Sequence, residues 1–153
     1  MMILGIRTSP TTVRYAVLDC NGAAVSLVNA DSENKLDFPA DCRSIEQKLH
    51  WLHQELDRVL RQYPGIERIV IKANEYGRGG EKASSREAAY FDAVVLMTAG
   101  TRQLPVDVKL YRTIGTRRNE VKSFAETNVG ATNRYWNEQM ADAVSAAWSG
   151  RND

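Results

Sequence analysis

Met2-Ile3-Leu4-Gly5-Ile6-Arg7 is the stretch that decides how this chain folds. It is a short apolar run with one glycine, and it ends abruptly in a cation. Thr8-Ser9-Pro10-Thr11 follows as a turn. Residues 12–19 then resume a strand pattern in which Val13, Tyr15 and Val17 alternate with Arg14, Ala16 and Leu18. An apolar strand feeding a hairpin is ordinary. A cation at the point where the strand leaves the core is not, and the function turns on it.

Outward from this hairpin, Asn21-Gly22 reads as a two-residue type I′ turn into a third strand over 23–29, completing an antiparallel meander. Residues 30–43 are polar, contain Pro39 and read as a loop. Ser44 with Gln47 forms a capping box. Ile45, Leu49, Leu52, Leu56 and Leu60 then make one apolar helical stripe that Pro64-Gly65 ends. Residues 66–71 predict a buried strand. Ser84 or Ser85 can cap a second helix running to about Thr98, with Gly100 at its C′ position. A fifth strand is expected over 106–111, a short helix near 118–125 and a last helix over about 135–148 carrying Trp136, Met140, Ala143, Ala147 and Trp148. The pattern predicts one α/β domain spanning 1–153, with a five-stranded mixed sheet of a three-strand antiparallel meander plus two parallel strands, flanked by helices.

Composition narrows the function classes. The chain has 153 residues, 43% apolar and 25% charged, which suits one globular core. Net charge is +1, so no global field draws it to DNA or anionic lipid, and any nucleic-acid contact must come from local clustering. No apolar run approaches the roughly 20 residues of a membrane span. Arg7 interrupts the apolar start before a signal peptide can form. The cytoplasm is the expected location, and Cys20 and Cys42, with no CxxC spacing, are expected to be free thiols.

Three strands, helix, strand, helix, strand, helix is an order that resembles the ribonuclease H-like fold, and RuvC-type Holliday-junction resolvases in particular. Ile3-Leu4-Gly5-Ile6 is similar to that family's first strand, and Met140-Ala141-Asp142-Ala143-Val144-Ser145-Ala146-Ala147 to its last helix. The chain also resembles a compact bacterial family of the same fold, a resemblance that carries no activity with it. The resolvase resemblance implies two-metal phosphodiester hydrolysis by carboxylates at the ends of strands one and four and on the last helix. At those positions stand Arg7, Lys72 and Asp142, with Gln139 and Glu138 near the remaining acidic position. Two of the expected carboxylates are thus cations, and an arginine is never deprotonated in proteins. The resemblance therefore implies a degenerate site in which Arg7 and Lys72 supply the positive charge of the metal and Asp142 is their counter-ion, with no cofactor. The alternative is a divergent nuclease in which Asp142 with Glu75 or Glu138 binds Mg²⁺ or Mn²⁺.

Two basic clusters accompany the site. Residues 76–82, Tyr76-Gly77-Arg78-Gly79-Gly80-Glu81-Lys82, with Arg86, form a glycine-rich loop able to cradle a phosphate at the start of the second helix, although the spacing is not that of a Walker A loop. Arg112, Arg117, Arg118 and Lys122 form the other cluster. Together they predict a basic rim for DNA or RNA, binding without sequence preference. Interspersed Glu81, Glu87, Glu120 and Glu126 are equally consistent with a solvated surface. A homodimer or a protein partner is the other expected mode, with Trp51, off the helical stripe, as a contact. His50 and His53 lack further ligands for zinc.

Overall fold

The structure is a computed structural model that describes residues 1–75 and 82–153. The described strands are β1 (Met2–Thr8), β2 (Thr12–Asp19), β3 (Ser26–Leu27), β4 (Lys35–Asp37), β5 (Ile66–Lys72) and β6 (Val106–Lys109). The sheet order is β3-β2-β1-β5-β6, with β4 also paired to β2. β1 runs antiparallel to β2 and parallel to β5, and β5 runs parallel to β6. The α/β class and the mixed sheet are as expected. The strand count is not, because β4 lies in the stretch read as a loop.

A buried asparagine explains that difference. Asn29 accepts the Val17 amide at 2.9 Å and donates to the carbonyls of Tyr15 and Glu33, both at 3.1 Å. Its side chain thereby satisfies the middle of the β2 edge, where neither β3 nor β4 reaches. The chain can then turn and pair Lys35–Asp37 with Thr12–Arg14, anchored by buried Leu36. The Asn21-Gly22 turn also differs. Gly22 has φ +92°, but Asp19 takes the Asn21 amide at 3.0 Å and the Met1 carbonyl takes that of Cys20 at 2.8 Å. With these amides committed, residues 20–25 form a longer connection and β3 shrinks to Ser26–Leu27.

The helices are α1 (Ile45–Gln62), α2 (Ala83–Thr101), α3 (Tyr111–Ile114), α4 (Val121–Asn128) and α5 (Glu138–Ser149). The Ser44–Gln47 capping box of α1 is present with both of its bonds. Helix α2 starts after Lys82, so Ser84 and Ser85 lie in its first turn, and Gly100 is inside it because Gln103, at φ 57°, ends the helix. Tyr135 has φ 62°, which delays α5 to Glu138 with Asn137 as its cap. The fifth strand stops at Lys109 because Tyr111 opens α3. Trp51 packs on Phe38, ring centroids 5.2 Å apart, so it belongs to the core margin.

Strand alternation sends Leu4, Ile6, Val13, Tyr15, Ile69 and Ile71 to the face covered by α1 and α2. Ile3, Ala16, Leu18 and Val70 go to the other face, against α5 and α4. Gly5 also points to α5. A Cβ there would stand 2.0 Å from the Ala143 carbonyl oxygen and 2.8 Å from the Ala147 Cβ. Only glycine lets the small residues of α5 lie this close to β1. Backbone cannot yield as a flexible side chain does, so Gly5→Ala is expected to cost about 3 kcal/mol or more. Urea unfolding measures it, and a loss below about 0.5 kcal/mol, the range of an ordinary surface change, would contradict this packing.

Candidate functional site

The same alternation places the functional side chains. Arg7 follows Gly5 by two positions and shares its face. Lys72 shares the face of Val70 on the neighbouring strand. Asp142 precedes Ala143, whose carbonyl sits over Gly5. The three residues are therefore brought to one end of the β1–β5 pair, with side chains nearly out of solvent: 7% exposed at Arg7, 1% at Lys72 and 0% at Asp142.

Arg7 Nε donates to Asp142 Oδ2 at 2.8 Å. Its Nη1 donates to the Thr8 carbonyl and to Asn74 Oδ1. The other Asp142 oxygen accepts the Tyr111 phenol at 2.8 Å. Lys72 does not bond Asp142. It pairs with Glu75 at 2.8 Å, donates to the Ala73 carbonyl and lies over the Tyr111 ring, 3.7 Å from its centroid. Glu75 accepts the Tyr111 amide at 3.1 Å as well. Tyr111 is thus the hinge of the cluster: its phenol holds Asp142, its amide holds Glu75 and its ring carries Lys72.

Burial governs the titration of these groups. It pushes the Asp142 carboxyl up, against the bonds from Arg7 and Tyr111 that draw it down. It pushes the Lys72 ammonium down, although Glu75 opposes the shift. Burial also acts upward on Glu75, but the bonds from Lys72 and the Tyr111 amide outweigh it and leave that carboxyl below its ordinary value. The Tyr111 phenol is pushed up by burial and by Asp142.

Asp92 belongs to the same centre from the opposite face. Thr8 points to α2, where its hydroxyl lies 2.6 Å from Asp92 Oδ1 and 3.1 Å from the Ala88 carbonyl. A hydroxyl has one proton, and a carbonyl only accepts. Both contacts are full hydrogen bonds only when Asp92 is protonated and donates. Burial pushes its carboxyl up to about 6, against the pull of Thr8, Arg7 and Lys72. With Asp92 neutral, the two cations Arg7 and Lys72 are matched by the two carboxylates Asp142 and Glu75.

Among the other expected residues, Glu138 turns away from Asp142 to Arg118, at 3.5 Å. Arg118 also reaches the Glu75 carbonyl at 3.4 Å. Lys82, Arg86, Arg112, Arg117, Arg118 and Lys122 are exposed. Arg78 and the glycines of its loop lie outside the described residues. Tyr111, Asp92, Thr8 and Asn74 were not legible as site residues. The one available signal was Asp92, the single charge in the apolar run 88–100. His53 bonds Thr98 at 3.1 Å. No group of three or more His, Cys, Asp or Glu suited to a metal ion occurs among the described residues.

No family model matches the sequence, and no curated protein does. Solved structures match along nearly the whole chain. Thermus thermophilus RuvC in complex with a Holliday junction substrate superposes with a TM-score of 0.77 at 16% identity, covering 97% of this chain and 92% of that one. The yeast mitochondrial Holliday junction resolvase gives 0.61 at 15% identity, covering 96% and 76%. The fowlpox virus resolvase, in complex with its substrate Holliday junction DNA, gives 0.55 at 14% identity, covering 98% and 96%. The chain has the RuvC-type, ribonuclease H-like fold that its order of elements implied.

Asp92 gives the site a pH signature. Its folded value of about 6 lies above that of an unfolded aspartate, so the native state binds the proton more tightly. The resulting stability, about 3 kcal/mol at most, is present below about pH 4 and is lost as pH rises through about 6. Urea unfolding from pH 4 to pH 8 is expected to show this decline in the wild type and a correspondingly flatter profile in Asp92→Asn. Identical profiles would contradict it.

Proposed function

We propose that this chain is a catalytically silent RuvC-type domain, working in the cytoplasm as a nucleic-acid-binding or protein-assembly module. The observation that carries this is the Arg7–Asp142 bond. At the end of β1, where the resolvase resemblance implies a metal-binding carboxylate, a buried guanidinium occupies the Asp142 carboxylate instead.

The donor set does not suit a hard divalent cation. Mg²⁺ and Mn²⁺ favour oxygen ligands with free lone pairs and no competing cation. Here Asp142 has both oxygens engaged, Glu75 is held by Lys72 and the Tyr111 amide, and two protein cations stand within the cluster. Exposed Arg112, Arg117 and Lys122, next to Arg118 at the Glu75 carbonyl, support a basic rim at the mouth of this centre. Tyr90, Leu96 and Met97 leave an uncharged outer face on α2, which supports the assembly part of the proposal as a homodimer or with a protein partner.

One observation favours the nuclease alternative. Tyr111 joins Asp142 through its phenol and Glu75 through its backbone amide, so two carboxylates already converge on one residue. A single assay separates the two. Branched and linear DNA and RNA are incubated with the protein in Mn²⁺ and in chelator, and binding is followed in parallel. The expected result is binding without cleavage in either condition, with affinity for branched DNA falling at least about tenfold in R117E/R118E at low salt. Mn²⁺-dependent cleavage abolished by Asp142→Asn would establish the nuclease.

A further inference from the structure

Strand β6 ends the sheet beyond β5, and its outer edge is open. The Ile69 amide bonds the Pro105 carbonyl and the Ala73 amide bonds the Lys109 carbonyl, both at 3.0 Å, in a register that sets Ile71 beside Val108. Alternate residues of β6 therefore face β5, namely Pro105, Asp107 and Lys109. The amides and carbonyls of Val106 and Val108, with the Leu110 amide, point the other way. Among the described residues no hydrogen bond reaches these groups. Val108 is 49% exposed and Leu110 36%. An unpaired backbone row of this kind is a template for another strand.

The far edge of the sheet is guarded against such pairing. There β3 and β4 are only two and three residues long, and Asn29 fills the space between them. On β6 the charges that could repel a strand are already held on the α5 side. Asp107 is paired with Arg68 at 3.1 Å, and Lys109 with Asp153 at 2.6 Å and the Ser149 carbonyl at 3.2 Å. The edge also matches itself. Antiparallel pairing centred on Val108 sets Val108 on Val108, Val106 on Leu110 and Asp107 on Lys109, so apolar meets apolar and acid meets base. Val108 then exchanges both of its outward bonds with its counterpart, as in any hydrogen-bonded antiparallel pair. On each side the Leu110 amide reaches a Val106 carbonyl. The Leu110 carbonyl is taken by the Thr113 and Ile114 amides, which ends the pairing there.

We infer that β6 is the interface for a second copy of this chain, added antiparallel across a two-fold axis at Val108 so that the two sheets run on as one. The inference rests on the assembly part of the proposed function and gives the homodimer an interface outside the α2 face. An extended peptide of another protein could use the same backbone groups, but it would lack the reciprocal match of Asp107 with Lys109.

Sedimentation is measured over a range of protein concentrations for the wild type, Val108→Pro, Val108→Lys and Met97→Glu. In parallel, hydrogen exchange of the Val108 amide is followed in the wild type over the same range. Proline at 108 removes an amide that takes no part in the β5 ladder, a place where an edge strand accepts it. Lysine at 108 keeps that amide and sets two like charges face to face at the axis, so a folding defect in one variant leaves the other informative. The wild-type exchange measurement needs no variant at all. The expected results are a wild-type dimer, Val108 exchange that slows as the dimer fills, and a dimer dissociation constant raised at least about tenfold in both Val108 variants. Met97→Glu, on the α2 face, is expected to leave the dimer unchanged. A dimer that survives both Val108 variants, with Val108 exchanging freely, would overturn the β6 interface. Its loss in Met97→Glu would then leave the assembly proposal standing on α2. A wild type that stays monomeric throughout would overturn the β6 interface and the homodimer together.

Discussion

The close approach of α5 to β1 at Gly5 is the constraint on which the rest depends. With the Ala143 carbonyl oxygen over the glycine, α5 lies closer to β1 than any side chain at position 5 would allow. Asp142 must then lie beside Ala143, completely buried. A carboxylate in that position is strongly desolvated and needs donors on both oxygens. Arg7 reaches one because it stands two residues past Gly5 on the same strand face, and Tyr111 reaches the other from the turn after β6. The polar centre follows from an apolar packing decision made one turn away.

The centre then extends in pairs. Lys72, from the parallel neighbour β5, is matched by Glu75 in the chain that leaves that strand. Tyr111 ties the two ion pairs together through its phenol, amide and ring. A buried pair of this kind need not add net stability over an apolar core. What it provides is register: three backbone segments, the ends of β1 and β5 and the first turns of α5, are held by bonds that a shifted strand would break. Asp92 adds a carboxyl on the far side of the sheet that is satisfied best when neutral.

Much of this was legible in the sequence, and the remainder has definite physical reasons. The α1 cap box and stripe are local patterns, and they appear as read. The position of Arg7, Lys72 and Asp142 together follows from period-two alternation once the order of elements is recognised. The short edge strand β4 was hidden because its partner edge depends on the side chain of Asn29, and no periodic pattern reveals a buried amide that imitates a strand. Tyr111 was hidden because Val106-Asp107-Val108-Lys109-Leu110-Tyr111 continues a strand pattern past the point where tertiary contacts start a helix. Lys72 was expected to share Asp142. Glu75, three residues on, proved to be its direct partner, because the chain leaving β5 returns over the site.

The central claim is that charge at the end of β1 serves structure. A double-mutant cycle tests it most directly, with urea unfolding of the wild type, Asp142→Ala, Arg7→Met and the double variant. Asp142→Ala alone leaves the buried Arg7 guanidinium without its counter-ion, and a loss of about 3–5 kcal/mol is predicted. The double variant is predicted to recover much of that loss, because the stranded cation is gone. Wild-type stability in Asp142→Ala, with no coupling between the two positions, would contradict the account.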